Sequence, residues 1–207
     1  MAVQEELARQ IEGGLGIFTR YCVKSDNSCL FASINYLLHS EDFSIPQLRQ
    51  LVADTIISNP AKYNEAFLDQ SPADYCFWIS QPSSWGGAIE LDVFAHHYCL
   101  QINVVDTRTL QIFKFGEDSQ YQDMLFLVYN GFHYDPLVVD CPDPASPPQK
   151  VFSLANDSHL FDKAVELAAE INTLSSHYTC SDCGAVFHSA QEMASHSQTT
   201  GHVNYNG

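Results

Sequence analysis

Asp26-Asn27-Ser28-Cys29-Leu30-Phe31 is the stretch whose reading decides the fold. Polar turn-formers lead up to Cys29, and Leu30, Phe31, Ile34, Leu37 and Leu38 follow at helical spacing. The pattern predicts a buried helix from Cys29 to near His39, with the thiol at its first turn. Unpaired amide N–H groups and the positive dipole end of a helix move a cysteine from about 8.5 toward the ~3.5–7.5 range of reactive thiols. The same amides are candidate donors to an oxyanion. A thiol so placed needs a base, and His133 stands far downstream in Gly131-Phe132-His133-Tyr134-Asp135-Pro136. Residues two apart on a strand share a face, so Asp135 lies beside His133 and within reach of its second ring nitrogen.

Outward from Cys29 the chain divides into helices first and strands second. Residues 4 to 12 suit a short amphipathic helix that Gly13, Gly14 and Gly16 end. Pro46 opens a helix through Ile57, Asn59-Pro60 opens another through Leu68, and Ser71-Pro72 a third, each with proline at a permitted first-turn position. Phe67 and Leu68 are expected to be buried. Trp85-Gly86-Gly87 leads into a further helix with Ile89, Leu91, Phe94, Ala95 and Tyr98. From Leu100 the runs become β-rich: Gln101 to Val105, Gln111 to Phe115, Leu125 to Tyr129, and His133 to Val139. This segregation predicts an α+β fold, a helical layer packed on a small, largely antiparallel sheet. The proline-rich run Cys141 to Pro148 marks the rim of that core and the start of a linker. Phe161, Val165, Ala168, Ile171 and Leu174 then form a helical stripe that either packs back or bridges to the tail.

Nine basic against twenty-five acidic side chains give a formal net charge of -16, which repels phosphate backbones and favours a basic protein or peptide partner over nucleic acid. The first residues lack signal-peptide architecture, and no apolar run approaches the ~18 residues that span a bilayer. A cytosolic or nuclear monomer without membrane association is expected. Seven cysteines at irregular spacing do not read as a disulfide framework.

The tail carries Cys180-x2-Cys183, twelve residues, His196, five residues, and His202. Phe187 and Met193 fall where a small ββα finger needs its core. Structural Zn2+ takes two thiolates from a hairpin and two imidazoles from a helix, and this spacing supplies them. A segment so small owes its folding to metal. No lysine or arginine follows Lys163, so the finger reads as a protein-contact or stabilising module, not a DNA reader.

Asp26-Asn27-Ser28-Cys29-Leu30-Phe31 together with His133-Tyr134-Asp135 resembles the ovarian-tumour (OTU) family of deubiquitinating cysteine proteases. Tyr63 to Leu68, Trp85-Gly86-Gly87-Ala88-Ile89-Glu90-Leu91 and the finger look like the subgroup related to the yeast founding member. The resemblance implies a ubiquitin thioesterase that cuts the isopeptide bond after the C-terminal glycine of ubiquitin in polyubiquitin or other conjugates, in protein quality control and degradation. It implies Cys29 as nucleophile, His133 as base and then acid, and Asp135 as orienter. Asp26 matches an acidic position the family counts as part of its site, and a helix-start cap is the other reading open to it. Trp85, Gly86 and Gly87 suit either a narrow channel for a glycine-ended peptide or a helix entry packed on the core.

The resemblance divides the chain into an N-terminal segment (1–19), a catalytic domain (20–140), a linker and helix (141–176) and the finger (177–207). Subgroup relatives carry an N-terminal ubiquitin-like domain that docks on a hexameric AAA ATPase segregase. No such domain is expected here, which makes the segregase the weakest partner the resemblance implies. Asn130 stands where it suggests aspartate, and Phe132 where it suggests a smaller aliphatic. An adaptor that binds ubiquitin through an idle site is the alternative from another class, and the presence of all three groups argues against it.

Overall fold

In the computed structural model the described residues are 8–10, 16–38, 44–143, 145–174, 178–187 and 190–206. Strands β1 (Ala8–Gln10) and β2 (Ile17–Arg20) precede helices α1 (Cys29–Leu38), α2 (Ile45–Ser58), α3 (Glu65–Leu68), α4 (Pro72–Ile79) and α5 (Ala88–Tyr98). Strands β3 (Gln101–Asp106), β4 (Ile112–Phe115), β5 (Asp123–Tyr129), β6 (Tyr134–Asp140) and β7 (Phe152–Ser153) follow, then α6 (Leu160–Leu174). The C-terminal module comprises β8 (Tyr178–Cys180), β9 (Val186–Phe187), α7 (Ala190–Thr200) and β10 (Tyr205–Asn206).

The fold is α+β, and its main sheet is mixed, in the order β1-β2-β6-β5-β3-β4 with β7 on the end of β5. β3 and β5 run parallel, and every other pair in that sheet is antiparallel. The period of two in a strand explains why the central strands read as unbroken apolar runs. On β5, Leu125 and Leu127 face the core beneath α1 to α5, while Met124, Phe126 and Val128 face the core beneath α6.

The sheet is therefore covered on both faces, and this corrects the expected linker. Cys141 to Pro148 is a return loop, closed by an antiparallel bridge between Val139 and Gln149. Beyond it Phe152, Leu160, Ala164, Leu167, Ala168 and Ile171 are buried with Phe18, Phe126 and Leu137. The helix whose stripe left two options packs back.

Three local expectations also change. Of the helix read over residues 4 to 12, Ala8–Gln10 is a strand on β2 and the rest lies outside the described residues. The helix read from Asn59 to Leu68 is a turn followed by the single turn α3, capped by Asn64, whose side chain accepts the Phe67 N–H at 3.1 Å. One turn has one inward side, which Leu68 takes beside the buried ring of Tyr63, leaving Phe67 45% exposed. β2 and β7 have no counterpart in the sequence reading, being too short for a periodic signal. Among the described residues no helix is long and apolar enough to cross a membrane.

If α6 is part of the core, Leu167→Ala leaves a cavity against the sheet and lowers unfolding free energy by about 2–5 kcal/mol. Urea unfolding followed by tryptophan fluorescence measures it, and a change below about 0.5 kcal/mol is what a surface position would give.

Candidate active site

Cys29 opens α1 and is 8% exposed; His133 immediately precedes β6 and is 9% exposed. The imidazole and the thiol are close enough to interact electrostatically. Its Nε2 is paired with Asp135 Oδ1 at 3.0 Å, which leaves Nδ1 as the nitrogen for the sulfur. Asp135 Oδ1 also accepts the Val23 N–H at 2.9 Å, and Arg20 Nη1 stands 3.8 Å from Oδ2. β2, through its pairing with β6, brings up Arg20, and the loop that follows it brings up Val23. Burial pushes the His133 imidazole toward neutrality. The charge on Cys29, the hydrogen bonds to Asp135 and Cys29, and the Asp135 charge outweigh it, and its pKa lies well above the usual 6.5. The arrangement can hold a proton against the sulfur and return it.

Asp26 does not share in this. Its Oδ1 accepts the Ser28 N–H at 2.8 Å, and its Oδ2 lies 3.6 Å from Lys24 Nζ. Its carbonyl accepts the Cys29 N–H at 3.3 Å, and its own N–H reaches the Lys24 carbonyl at 3.0 Å. Three loop amides expected to await an oxyanion are therefore engaged locally. Nδ2 of Asn27, two residues before the thiol, is buried without a partner among the described residues.

Sequence reasoning missed the groups that hold this loop. Trp85 Nε1 donates to Asn27 Oδ1 at 2.6 Å. The buried guanidinium of Arg49 donates from Nη1 to the Ile79 carbonyl at 2.8 Å. Its Nη2 reaches the carbonyls of Asn27 at 3.3 Å and Ser84 at 2.9 Å and Ser28 Oγ at 3.0 Å. Arg49 sits in amphipathic α2, where one arginine reads as solvent-facing, so the sequence carried no signal for it.

The Trp85-Gly86-Gly87 segment divides between its two readings. A Cβ on Gly86 would stand 2.7 Å from Leu30 Cδ2 and 3.0 Å from Phe31 Cε2, so this glycine is required by packing. A Cβ on Gly87 would meet nothing within 4 Å. Gly87 also begins α5, its N–H donating to Glu90 Oε2 at 2.7 Å. The segment borders a cleft of about 430 Å³ shared with Tyr75 and Trp78.

In the C-terminal module one ligand atom from each of Cys180, Cys183, His196 and His202 lies within 4.8 Å of the others. Cys180 Sγ is 3.6 Å from His202 Nδ1, Cys183 Sγ is 3.5 Å from His196 Nε2, and the two nitrogens are 3.3 Å apart. A tetrahedral ion with Zn–S near 2.3 Å and Zn–N near 2.05 Å sets its ligands roughly 3.6 Å apart for S···N and about 3.4 Å for N···N. The cage fits the ion. Phe187 and Met193 are buried as expected. His202, however, is not on the helix. α7 ends at Thr200, and Gly201 at φ 76° turns the chain so that His202 returns from beyond it. The unanticipated β10 then pairs with β8 and places Tyr205 in the module's core.

Residues 24–136 match the family model described as OTU-like cysteine protease. The chain belongs to the OTU-like cysteine protease family. It is 38% identical over 205 residues to the ubiquitin thioesterase OTU1 of Mus musculus, covering 94% of this chain and 60% of that protein. Against the Homo sapiens protein of the same name it is 38% identical over 201 residues, 92% and 58% of the two chains. This chain thus spans about three-fifths of the length of these relatives. An ovarian-tumour domain solved in complex with ubiquitin superposes with a TM-score of 0.71 at 31% identity, over 84% of this chain and 98% of that one. The matched OTU segment contains Asp26, Cys29, His133 and Asp135.

Asp135 supplies two of the influences that raise the His133 pKa, so Asp135→Asn makes the imidazole give up its proton at lower pH. A raised value also means that the imidazolium's share of stability is complete below the ordinary histidine range and is lost as pH climbs through the raised value. NMR titration of the His133 ring in both proteins checks the direction; coincident curves would remove Asp135 from this role.

Proposed function

We propose that this chain is a deubiquitinase that hydrolyses the isopeptide bond after the C-terminal glycine of ubiquitin, in polyubiquitin or in conjugates. The observation that carries the reading is the convergence of Cys29 on the hydrogen-bonded pair His133 and Asp135 at the junction of α1 and β6, in a fold that superposes on an OTU domain bound to ubiquitin. The OTU1 relatives are named as ubiquitin thioesterases, which supports the same reaction.

Cys29 Sγ attacks the carbonyl of the ubiquitin glycine, and its proton resides on His133. The orphaned amide of Asn27 is the buried donor available to the oxyanion. His133 protonates the departing lysine amine, leaving a thioester. It then takes a proton from water, whose oxygen attacks the thioester carbonyl, and the thiol leaves as ubiquitin is released. Asp135 holds the imidazole. Asp26 serves by shaping the loop before Cys29, as its contacts with Ser28 and Cys29 support. Trp85, Gly86 and Gly87 line the approach of the ubiquitin tail, with Gly87 as the open position.

Structural zinc held by Cys180, Cys183, His196 and His202 completes the reading, making the module a ββα finger extended by β10. The metal supplies folding energy there and no step of the reaction. A reducing setting such as the cytoplasm, within ubiquitin-dependent quality control, suits seven cysteines none of which is in a disulfide. An AAA ATPase segregase enters as a partner on the subgroup resemblance alone.

Ubiquitin carrying a C-terminal electrophile tests the assignment. The intact protein takes one label, Cys29→Ala takes none, and His133→Ala is slowed on the order of 10²-fold or more. Ubiquitin binding without any label would instead make the protein an adaptor. Elemental analysis of the same preparation returns one zinc per chain, lost in Cys183→Ala.

A further inference from the structure

The finger touches the OTU domain at both halves of the thiol site. On the cysteine side, the Tyr205 N–H donates to the carbonyl of Ser25 at 3.1 Å, in the loop that leads to Cys29. On the histidine side, Tyr178 Oη accepts a hydrogen bond from Nδ2 of Asn130. The other end of that amide is occupied as well. Asn130 Oδ1 accepts the N–H of Phe132 at 3.1 Å and of His133 itself at 2.9 Å. The rings of Phe132 and Tyr178 stand 4.8 Å apart, and Phe132 and Trp85 both pack on the finger's core. Trp85 in turn holds Asn27.

These tethers leave the strand pair that carries a metal ligand. Cys180 ends β8, Tyr178 begins it, and Tyr205 on β10 lies directly opposite Cys180. Among the described residues the finger's core holds five buried hydrophobic side chains, Cys180 among them. So few cannot hold three short strands and a helix in place without the ion. Asn130 and Phe132 are also the two positions at which the sequence departs from the pattern it resembles, and both face Tyr178.

We infer that the zinc finger is a clamp across the catalytic site, with Tyr178 and Asn130 as positioning residues that set His133 against Cys29 only while the metal is bound. The inference rests on the thiol-site reading above. A reacting pair misplaced by an ångström loses rate steeply, so a module that never touches ubiquitin can still control turnover. Metal supply, or oxidation of the exposed Cys183, would then act on the enzyme through geometry.

The test compares the full chain loaded with zinc, stripped by chelator, reloaded, and as Tyr178→Phe with its zinc content verified. Each form meets ubiquitin bearing a C-terminal electrophile and, separately, iodoacetamide across a range of pH, with modification mapped at Cys29 and at buried Cys76. Tyr178→Phe is expected to slow ubiquitin labelling about five-fold, the size of one ordinary hydrogen bond. Stripping slows it at least about ten-fold, and zinc restores it. In both forms alkylation of Cys29 slows, because an imidazole turned from the sulfur no longer takes its proton, while Cys76 stays protected. Unchanged rates and profiles after verified zinc loss would overturn the clamp. So would Cys76 opening in step with Cys29, which would make the finger a prop for the whole fold. If zinc-loaded wild type takes no ubiquitin label, the deubiquitinase reading has failed, and the iodoacetamide arm still decides the clamp.

Discussion

The position of α1 against β6 is the constraint on which the site depends. Ser33, one turn beyond Cys29, is fully buried and donates from Oγ to the Tyr134 carbonyl at 3.0 Å. Around that bond Leu30, Ile34 and Leu37 pack in one core with Leu127 and Val138. A hydroxyl in that setting is stabilising only when its partner is present, so it marks the register of helix on strand as apolar contacts alone would not. The thiol and the imidazole follow from it, one at the helix start and the other one residue before Tyr134. Strand register carries the constraint to the carboxylate. β5 and β6 pair Val128 with Asp135 and Tyr129 with Tyr134, and a slip of one residue would turn Asp135 to the opposite face of the sheet.

A sheet that must hold this register cannot leave one face to water. Phe18 meets Phe126 and Phe152 edge-on with ring centroids 5.8 and 6.1 Å away, and α6 closes over them. Those rings sit on β2, β5 and β7, which ties the strand that supplies Arg20 to the strand that neighbours β6. Burial on the side remote from the thiol is therefore part of the site's rigidity. It explains why a segment that follows a proline-rich loop belongs to the catalytic core.

What the sequence disclosed divides along physical lines. Long periodic signals were legible: α1, α2, α4, α5 and the four strands from Gln101 to Asp140 fall within a residue or two of their expected places. Residues from separate motifs that the reading grouped do lie together: His133 pairs with Asp135, and Cys180, Cys183, His196 and His202 each offer an atom within 4.8 Å of the others. Several of the shortest elements were not, since β2, β7, β10 and the single turn α3 owe their form to the partners they pair with. Polar groups buried or half-buried by tertiary contact were hidden for the same reason. Ser33, Asn130 and Glu90 each look like surface residues until their partners, Tyr134, Tyr178 and Tyr75, arrive from elsewhere in the chain.

Arg49 shows what such a group does that apolar packing cannot. Burial is the main cause pulling its pKa down to about 10, a sign of how poorly the site tolerates its charge. The guanidinium nevertheless bridges three carbonyls, on Asn27, Ile79 and Ser84, and lies 4.1 Å over the ring of Phe31. A planar fork with several fixed donors can satisfy three segments at once, whereas an ammonium is a point charge without that reach. Loops before a nucleophile lack ladder hydrogen bonds and drift unless something crosses them. Here the crossing group is a cation, and the cost of burying Arg49 is offset by the hydrogen bonds it gives and by the nearby carboxylates of Glu90 and Asp26.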